Sequence, residues 1–269
     1  MNTQSLPHLF GIFMILLAAH VGYAQSDNNL TDEQILKLYE GLRVADVSDG
    51  MDYVGLHDQG LVDPAIEPLW KDIQDFKHWF IGIALTVRYV PTNRPFPSDL
   101  RDEAYEQWRD QWYTNISGEP FIDSIKTGSV VVIDNQGDGD TGSTGSNNAL
   151  LWTKMGAVGV VSAGGVRDTD EIIKQEIPLY MDISKRGRGV RPGRNELESV
   201  NKPVVIGGVL VNPGDVIIAD GDGVIVVPRQ AALEVAEGAR KTLNIDKASR
   251  RQLYQDLGIP MDFTVEEDN

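Results

Sequence analysis

The chain has no cysteine among its 269 residues. Disulfides, a thiolate nucleophile, a thiolate metal cage and a lipid-modified cysteine are therefore excluded. Histidine is almost as scarce. Of four, His8 and His20 lie in the first 24 residues, leaving only His57 and His78. Two imidazoles rule out most zinc cages and leave little room for a His-dependent triad. Positive charge is short too: 24 Lys and Arg stand against 40 Asp and Glu, for a formal net charge of −16. A field that acidic repels phosphate backbones, so no nucleic-acid partner is expected. Chemistry must rest on carboxylates, Arg or Lys, hydroxyls, backbone amides and an oxygen-loving metal.

Long apolar runs are also lacking, with one exception. The first 24 residues, MNTQSLPHLFGIFMILLAAHVGYA, contain no charged side chain, and small residues precede Gln25. This predicts a signal peptide over 1–24, cut after Ala24, and an exported, periplasmic protein. An uncleaved anchor is the alternative, although the apolar run is shorter than the roughly 20 residues a spanning helix needs. No stable membrane insertion is expected after cleavage. Residues 25–269 read as one α/β domain.

What the chain does have is glycine, 27 residues of it, set among strand-like runs. TDEQILKLYEGL predicts a helix capped by Thr31, and RVADVSDGMDYVG a second helix ending near Gly55. WFIGIALTVRYV predicts a strand. The stretch 91–120 reads as an insertion: a proline-rich loop, then a charged helix whose Tyr105, Trp108, Trp112 and Tyr113 recur at helical spacing and should pack on the core. From Gly128 onward, strands SVVVID, AVGVVSAGG and PLYMDIS alternate with helices NNALLWTKMG and DTDEIIKQE. KPVVIGGVLVNPGDVIIADGDGVIVVP reads as three strands joined by turns at NPGD and DGDG. RQAALEVAEGARKTLNI predicts an amphipathic helix, with residues 240–269 as a helical tail.

Two constellations could carry chemistry. The junction GSTGSNNALL lets backbone amides near Gly145, Ser146, Asn147 and Asn148 face an anion at a helix N-terminus; simple capping by Ser146 or Asn147 is the plainer alternative. The pair Arg167–Asp168 follows Gly164 and Gly165, which could let both side chains turn into one cleft. Asp168 suits Mg²⁺ (or Mn²⁺), and Arg167 offers a fork for a carboxylate. DNQGDGDTGSTG resembles a calcium loop but places Gly145 where a bidentate Glu belongs, and ADGDG reads as a hairpin turn. Lys185, Arg186, Arg188, Arg191 and Arg194 form a basic loop, suited to an anionic substrate or to the acidic surface of a neighbouring subunit.

In order, VSDGM, GSVVVID, GSNNALLWTKMGAVGVVSAGGVRD and KPVVIGGVLVNPGDVIIADGDGVIVVP resemble the regulator-of-ribonuclease-activity-A-like family, which includes the 4-hydroxy-4-methyl-2-oxoglutarate aldolases. Some members carry the label demethylmenaquinone methyltransferase. The resemblance implies an α/β/β/α sandwich of the swivelling-domain type, assembled as a homotrimer or hexamer with active sites between subunits. It assigns Asp168 to the metal and Arg167 to the substrate, both as catalytic residues. The amides of Ser146, Asn147 and Asn148, after Gly145, would hold the substrate carboxylate. Aldolases of the family usually carry an acidic residue directly after that glycine; here it is Ser146. The expected function is a divalent-metal-dependent lyase, by retro-aldol cleavage or decarboxylation, of a 2-oxo acid such as 4-hydroxy-4-methyl-2-oxoglutarate or oxaloacetate. The alternatives are a non-catalytic exported binding or regulatory oligomer, and a lyase acting on a sugar-derived acid or keto-sugar.

Overall fold

The computed structural model describes residues 30–266; the expected signal segment lies outside the described residues. Helices α1 (Asp32–Tyr39) and α2 (Val44–Tyr53) come first. Thr31 caps α1, its hydroxyl accepting from the Gln34 amide at 3.2 Å. A short strand β1 (Ile66–Pro68) and the 12-residue β2 (Phe80–Pro91) follow. α3 (Asp102–Asn115) precedes β3 (Ser129–Asp134), and then helix and strand alternate: α4 (Ser146–Met155), β4 (Ala157–Ser162), α5 (Thr169–Lys174) and β5 (Leu179–Asp182). β6 (Asn195–Val200), β7 (Val204–Ile206), β8 (Val209–Val211), β9 (Val216–Asp220) and β10 (Gly223–Val227) lead to α6 (Ala232–Leu257).

β2 is the spine of the main sheet. It runs parallel to β3, and β3, β4 and β5 are parallel in turn, as α4 and α5 crossovers require. The first residues of β2 pair antiparallel with β9, and its last residues with β6. β10 pairs with β9, and β1 with β5, giving the order β1-β5-β4-β3-β2-β9-β10. The two ends of that order nearly meet. Leu61 bridges Ile225, and the Val62 amide donates to Val224 O at 3.0 Å. Residues 60–68 thus stitch one edge to the other.

Alternation along the strands sorts side chains into three cores. Val130, Val132, Val161, Ala163, Ile217, Ala219, Val224 and Val226 point inward, between the curved walls of the sheet. Val216, Ile218, Ile225 and Val227 point out and are covered by α1, α2 and α6. Val131, Ile133, Val160 and Leu179 point out on the opposite side, under Trp152 of α4 and Ile172 of α5. Helix, sheet, sheet and helix are the layers expected of this mixed α/β domain.

Three local expectations change. VVIGGVLV is not one strand but a hairpin, β7–β8, turned at Gly207 (φ 49°) and Gly208 (φ 83°), a left-handed pair that glycine adopts without steric cost. NPGD and DGDG are turns as expected, so the segment holds four strands rather than three. β1 and β6 carry no periodic signal: β6, NELESV, is half-exposed along most of its length. The C-terminal helix, expected over 229–245 with a helical tail over 240–269, runs from Ala232 to Leu257, where Gly258 ends it in the left-handed conformation and the helical tail stops.

Candidate active site

Three backbone details bring the Arg167–Asp168 pair to the start of α4. Thr144 bridges Val166 in parallel, and the Arg167 amide donates to Thr144 O at 2.9 Å. Next, Asp168 adopts φ 56°, a left-handed conformation that costs a non-glycine residue about 1 kcal/mol. That turn, rather than freedom at Gly164 and Gly165, puts both side chains on one side: neither glycine has positive φ. They are required by crowding, since a Cβ on Gly165 would lie 2.1 Å from Thr141 O and one on Gly164 2.7 Å from the Asn135 side chain. Third, Gly145 admits the carboxylate. A Cβ there would lie 2.8 Å from Asp168 Oδ2.

Asp168 occupies the N-cap position of α5 yet makes no cap hydrogen bond with its side chain. Its Oδ2 instead accepts from the Ser146 amide at 3.3 Å, and its Oδ1 from Arg167 Nε at 3.1 Å. An N-cap carboxylate turned to a different helix forgoes about 1 kcal/mol of local stabilisation. The Arg167 stem crosses Gly142, where a Cβ would lie 2.7 Å from its Cγ. Both side chains stay about one-third exposed, at 36% and 35%. On α4 neither Ser146 nor Asn147 caps: the N-cap is Gly145, without a side-chain bond. The next first-turn amides, of Asn147 and Asn148, have no acceptor within the helix. Arg167, Asp168, Gly145 and the amides of Ser146, Asn147 and Asn148 thus line one cradle, while the Asn147 side chain is exposed.

A second ring supports the first turn of α4, and none of it was expected. Glu119, just after the α3 insertion, accepts from Asn148 Nδ2 at 2.5 Å and from Trp152 Nε1 at 3.1 Å. Arg191 of the basic loop pairs with the same carboxylate; the two side chains are 6% and 9% exposed. Arg191 Nη1 also donates to Tyr89 Oη at 2.7 Å and to Ser117 O at 2.9 Å, and its guanidinium lies 5.2 Å from the Tyr113 ring centroid. Burial pushes the Tyr89 hydroxyl up in pKa, so it serves Arg191 as a neutral acceptor. No local pattern marks Glu119. Five cations in an acidic chain were the one available signal for Arg191.

Two further cations of the basic loop are paired with aspartates. Arg188 holds Asp140 at 2.6 Å and Lys185 holds Asp182 at 3.0 Å. Arg191 is therefore committed inside the fold rather than open to a neighbour. Asp138 is buried, its Oδ2 accepting from Ser143 Oγ and Asn195 Nδ2, both at 2.8 Å. Burial raises its pKa, with those two bonds opposing. Within α3, Trp112 is buried and donates to Asn195 O at 3.0 Å, packing on the core as expected, whereas Trp108 meets the exposed Phe96 edge-to-face within the insertion.

Among the described residues no three His, Cys, Asp or Glu side chains group as a metal cage. A hard cation at Asp168 would meet one carboxylate and keep most of its water, a common arrangement for Mg²⁺. Each Asp168 oxygen has one protein donor and a second lone pair, so the residue fits that role. Among the same residues no helix is long and apolar enough to cross a membrane.

Comparison with known proteins agrees with this architecture. A family model, RraA-like (Aldolase/RraA), matches residues 44–226. Protein DlpA of Legionella pneumophila is 29% identical over 209 residues, 77% of this chain and 29% of its own length. The 4-hydroxy-4-methyl-2-oxoglutarate aldolase of Thermus thermophilus is 35% identical over 101 residues, 38% of this chain and 60% of its own. The chain therefore spans less than two thirds of these relatives. A crystal structure of an uncharacterized protein from Pseudomonas syringae superposes with a TM-score of 0.62 at 28% identity, covering 86% of this chain and 92% of that one. The sheet order, the glycine-flanked carboxylate and the family match lead to one conclusion: the chain belongs to the RraA-like family.

Proposed function

We propose that the protein is a divalent-metal-dependent carbon–carbon lyase acting on a 2-oxo acid. The observation that carries this reading is the Ser146 amide on Asp168 Oδ2, 3.3 Å across 22 residues of sequence. It gathers a hard carboxylate, a guanidinium and unpaired helix amides around one point. The similarity to a protein named as an aldolase supports the same reading.

Asp168 would hold Mg²⁺ (or Mn²⁺), which when bound supplies Lewis-acid stabilisation of an enolate. Arg167 would orient the substrate carboxylate and offset charge developing beside it. The Asn147 and Asn148 amides would donate to that carboxylate, helped by the partial positive charge of the helix N-terminus. Ser146 contributes its amide; its hydroxyl moves a proton poorly at neutral pH without a base. Retro-aldol cleavage and oxaloacetate decarboxylation both leave pyruvate enolate, so both substrates belong in the test. Pyruvate release is measured from oxaloacetate and from 4-hydroxy-4-methyl-2-oxoglutarate, with and without Mg²⁺, for wild type and Asp168→Ala. Equal rates in every condition reject the lyase.

Ser146, where family aldolases carry an acid, favours a second reading: a non-catalytic binding or regulatory oligomer. Calorimetric titration with Mg²⁺ and Mn²⁺ separates the two, because absence of binding favours the second. A sugar-derived acid or keto-sugar as lyase substrate is tested by the same pyruvate-independent metal titration followed by a substrate panel. Export to the periplasm and a homotrimer or hexamer complete the proposal, to be checked by fractionation and light scattering.

A further inference from the structure

Retro-aldol cleavage needs a group that takes a proton and gives it back. Among the described residues of the cradle none is suited to it. Arg167 stays protonated, Asp168 is given to the metal, and Ser146 offers only a hydroxyl. Both histidines of the described residues sit elsewhere: His57 pairs with Asp52 just after α2, and His78 accepts from the Asp72 amide ahead of β2. Glu119 is spent on Asn148, Trp152 and Arg191.

A buried carboxylate lies beside the floor of the cradle. Asp138 Oδ2, Ser143 Oγ and Asn195 Nδ2 stand 2.8 Å from one another in a closed triangle, and the three residues are 7%, 2% and 0% exposed. Asn195 Nδ2 donates to both oxygens, so the Ser143 hydroxyl turns its own hydrogen to Asp138 and keeps one lone pair free. A hydroxyl held that way conducts inward, accepting a proton on the lone pair as it gives its own to the carboxylate. Ser143 stands between two floor positions: a Cβ on Gly142 would meet the Arg167 stem, and one on Gly145 would meet Asp168 Oδ2. Thr144 Oγ1 and Asn195 Oδ1 are buried with no partner among the described residues, and groups of that kind normally bond to ordered water. Burial holds the Asp138 pKa above the ordinary carboxylate value, against bonds from Ser143, Asn195 and its own amide, which brings its proton affinity nearer neutrality. Charges on the neighbouring segments are engaged elsewhere: Asp134 with Arg88, Asp140 with Arg188, and Glu196 with Arg94.

We propose that Asp138, acting through the Ser143 hydroxyl, is the proton reservoir of the cradle. This role rests on the lyase reading of the same cradle. The substrate hydroxyl proton passes by way of one water to Ser143 Oγ while the Ser143 proton passes to Asp138 Oδ2. The O–H electron pair becomes the new carbonyl bond, and the pair of the breaking C–C bond goes to the enolate. The proton then returns along the same path to the enolate carbon, leaving Asp138 ionised as before. Asn195 is the residue that positions Ser143.

The test follows pyruvate release from 4-hydroxy-4-methyl-2-oxoglutarate and from oxaloacetate, with Mg²⁺, across a range of pH. Asp138→Asn keeps the size of the side chain and should lower kcat on the hydroxy acid about a hundredfold, with KM within about twofold. It should also erase the acid limb of the kcat profile. Oxaloacetate gives up no hydroxyl proton and should keep its kcat within about tenfold. Ser143→Ala should lose as much as Asp138→Asn, and the double variant no more than either, because one path is cut twice. A purely structural role would add the two losses and leave the acid limb in place. Apart from turnover, a protonated-carboxyl infrared band should titrate in wild type and be missing from Asp138→Asn. An acid limb kept in Asp138→Asn, equal losses on both acids, or a wild type active on oxaloacetate alone overturns the relay and leaves the lyase standing. A wild type that releases pyruvate from neither acid overturns both.

Discussion

Two aspartates in this molecule do the same thing by geometry and different things by environment. Asp220, at the end of β9, accepts from the amide of Val44, the first residue of α2; Asp168 accepts from the amide of Ser146, the first residue of α4. The Asp220 contact is 2.8 Å, its other oxygen accepts from the Asp222 amide at 2.8 Å, and the residue is 8% exposed. The Asp168 contact is 3.3 Å and its side chain is 35% exposed. Asp220 is closed, with each oxygen spent on a short bond inside the protein. Asp168 is open: its bonds are longer, its backbone is in a costly conformation, and solvent reaches it. A carboxylate used only to tie two segments together resembles the first. One that must also meet a ligand resembles the second.

The contrast breaks most visibly at Asp168. Asp168→Ala should lower pyruvate release at least about a hundredfold, the scale of losing a charge-stabilising group, while the melting temperature moves by only a few degrees. A large loss of stability with activity per folded molecule retained would make Asp168 a second Asp220. Gly145→Ala comes next. Its new Cβ must displace Asp168 Oδ2 from 2.8 Å, so activity should fall about tenfold or more, in keeping with the cost of misplacing a catalytic group. Asp220→Ala should show the converse. It strands the buried Val44 amide and releases that of the exposed Asp222, and should cost about 2 kcal/mol in urea unfolding, with activity per folded molecule unchanged.

Asp138 sharpens the comparison with the smallest effect. Burial holds its folded pKa above the ordinary carboxylate value. Its contribution to stability is therefore complete at acid pH and is lost as pH rises through that raised value. Asp138→Asn, which never ionises, should gain melting temperature relative to wild type by a few degrees between about pH 4 and about pH 7. A difference that stays flat with pH would show that the bonds from Ser143 and Asn195 offset the burial in full.

Much of this was legible in residue patterns. SVVVID, AVGVVS and VIIADGDGVIVV declare strands because β-branched runs are bounded by glycine and aspartate. NNALLWTKMG declares a helix because Gly156 ends it, here at φ 116°. Arg167, Asp168 and Gly145 could be paired across the sequence once a helix-then-strand unit was recognised. What stayed hidden depends on tertiary placement. Nothing local puts Asp168 in the left-handed region; the crowding at Gly164 and Gly165 made those glycines resemble hinges when they are close contacts. Glu119 is one of many acids, and its partners Asn148 and Arg191 lie 29 and 72 residues away. β6 escaped because its partner, the end of β2, supplies the apolar side of the pairing.

The stitch formed by residues 60–68 has a consequence for how the chain reaches this state. Leu61 must find Ile225 of β10, the last strand in chain order, so this gap in the sheet cannot close before β10 is in place. Until then the nascent chain presents two unsatisfied strand edges, at β5 and at β10, each able to pair with another chain. Contacts of such long sequence separation form slowly. Refolding of the full chain should therefore end in a slow phase sensitive to protein concentration. Truncation before β10 would leave a soluble-looking α/β core with both edges open to aggregation.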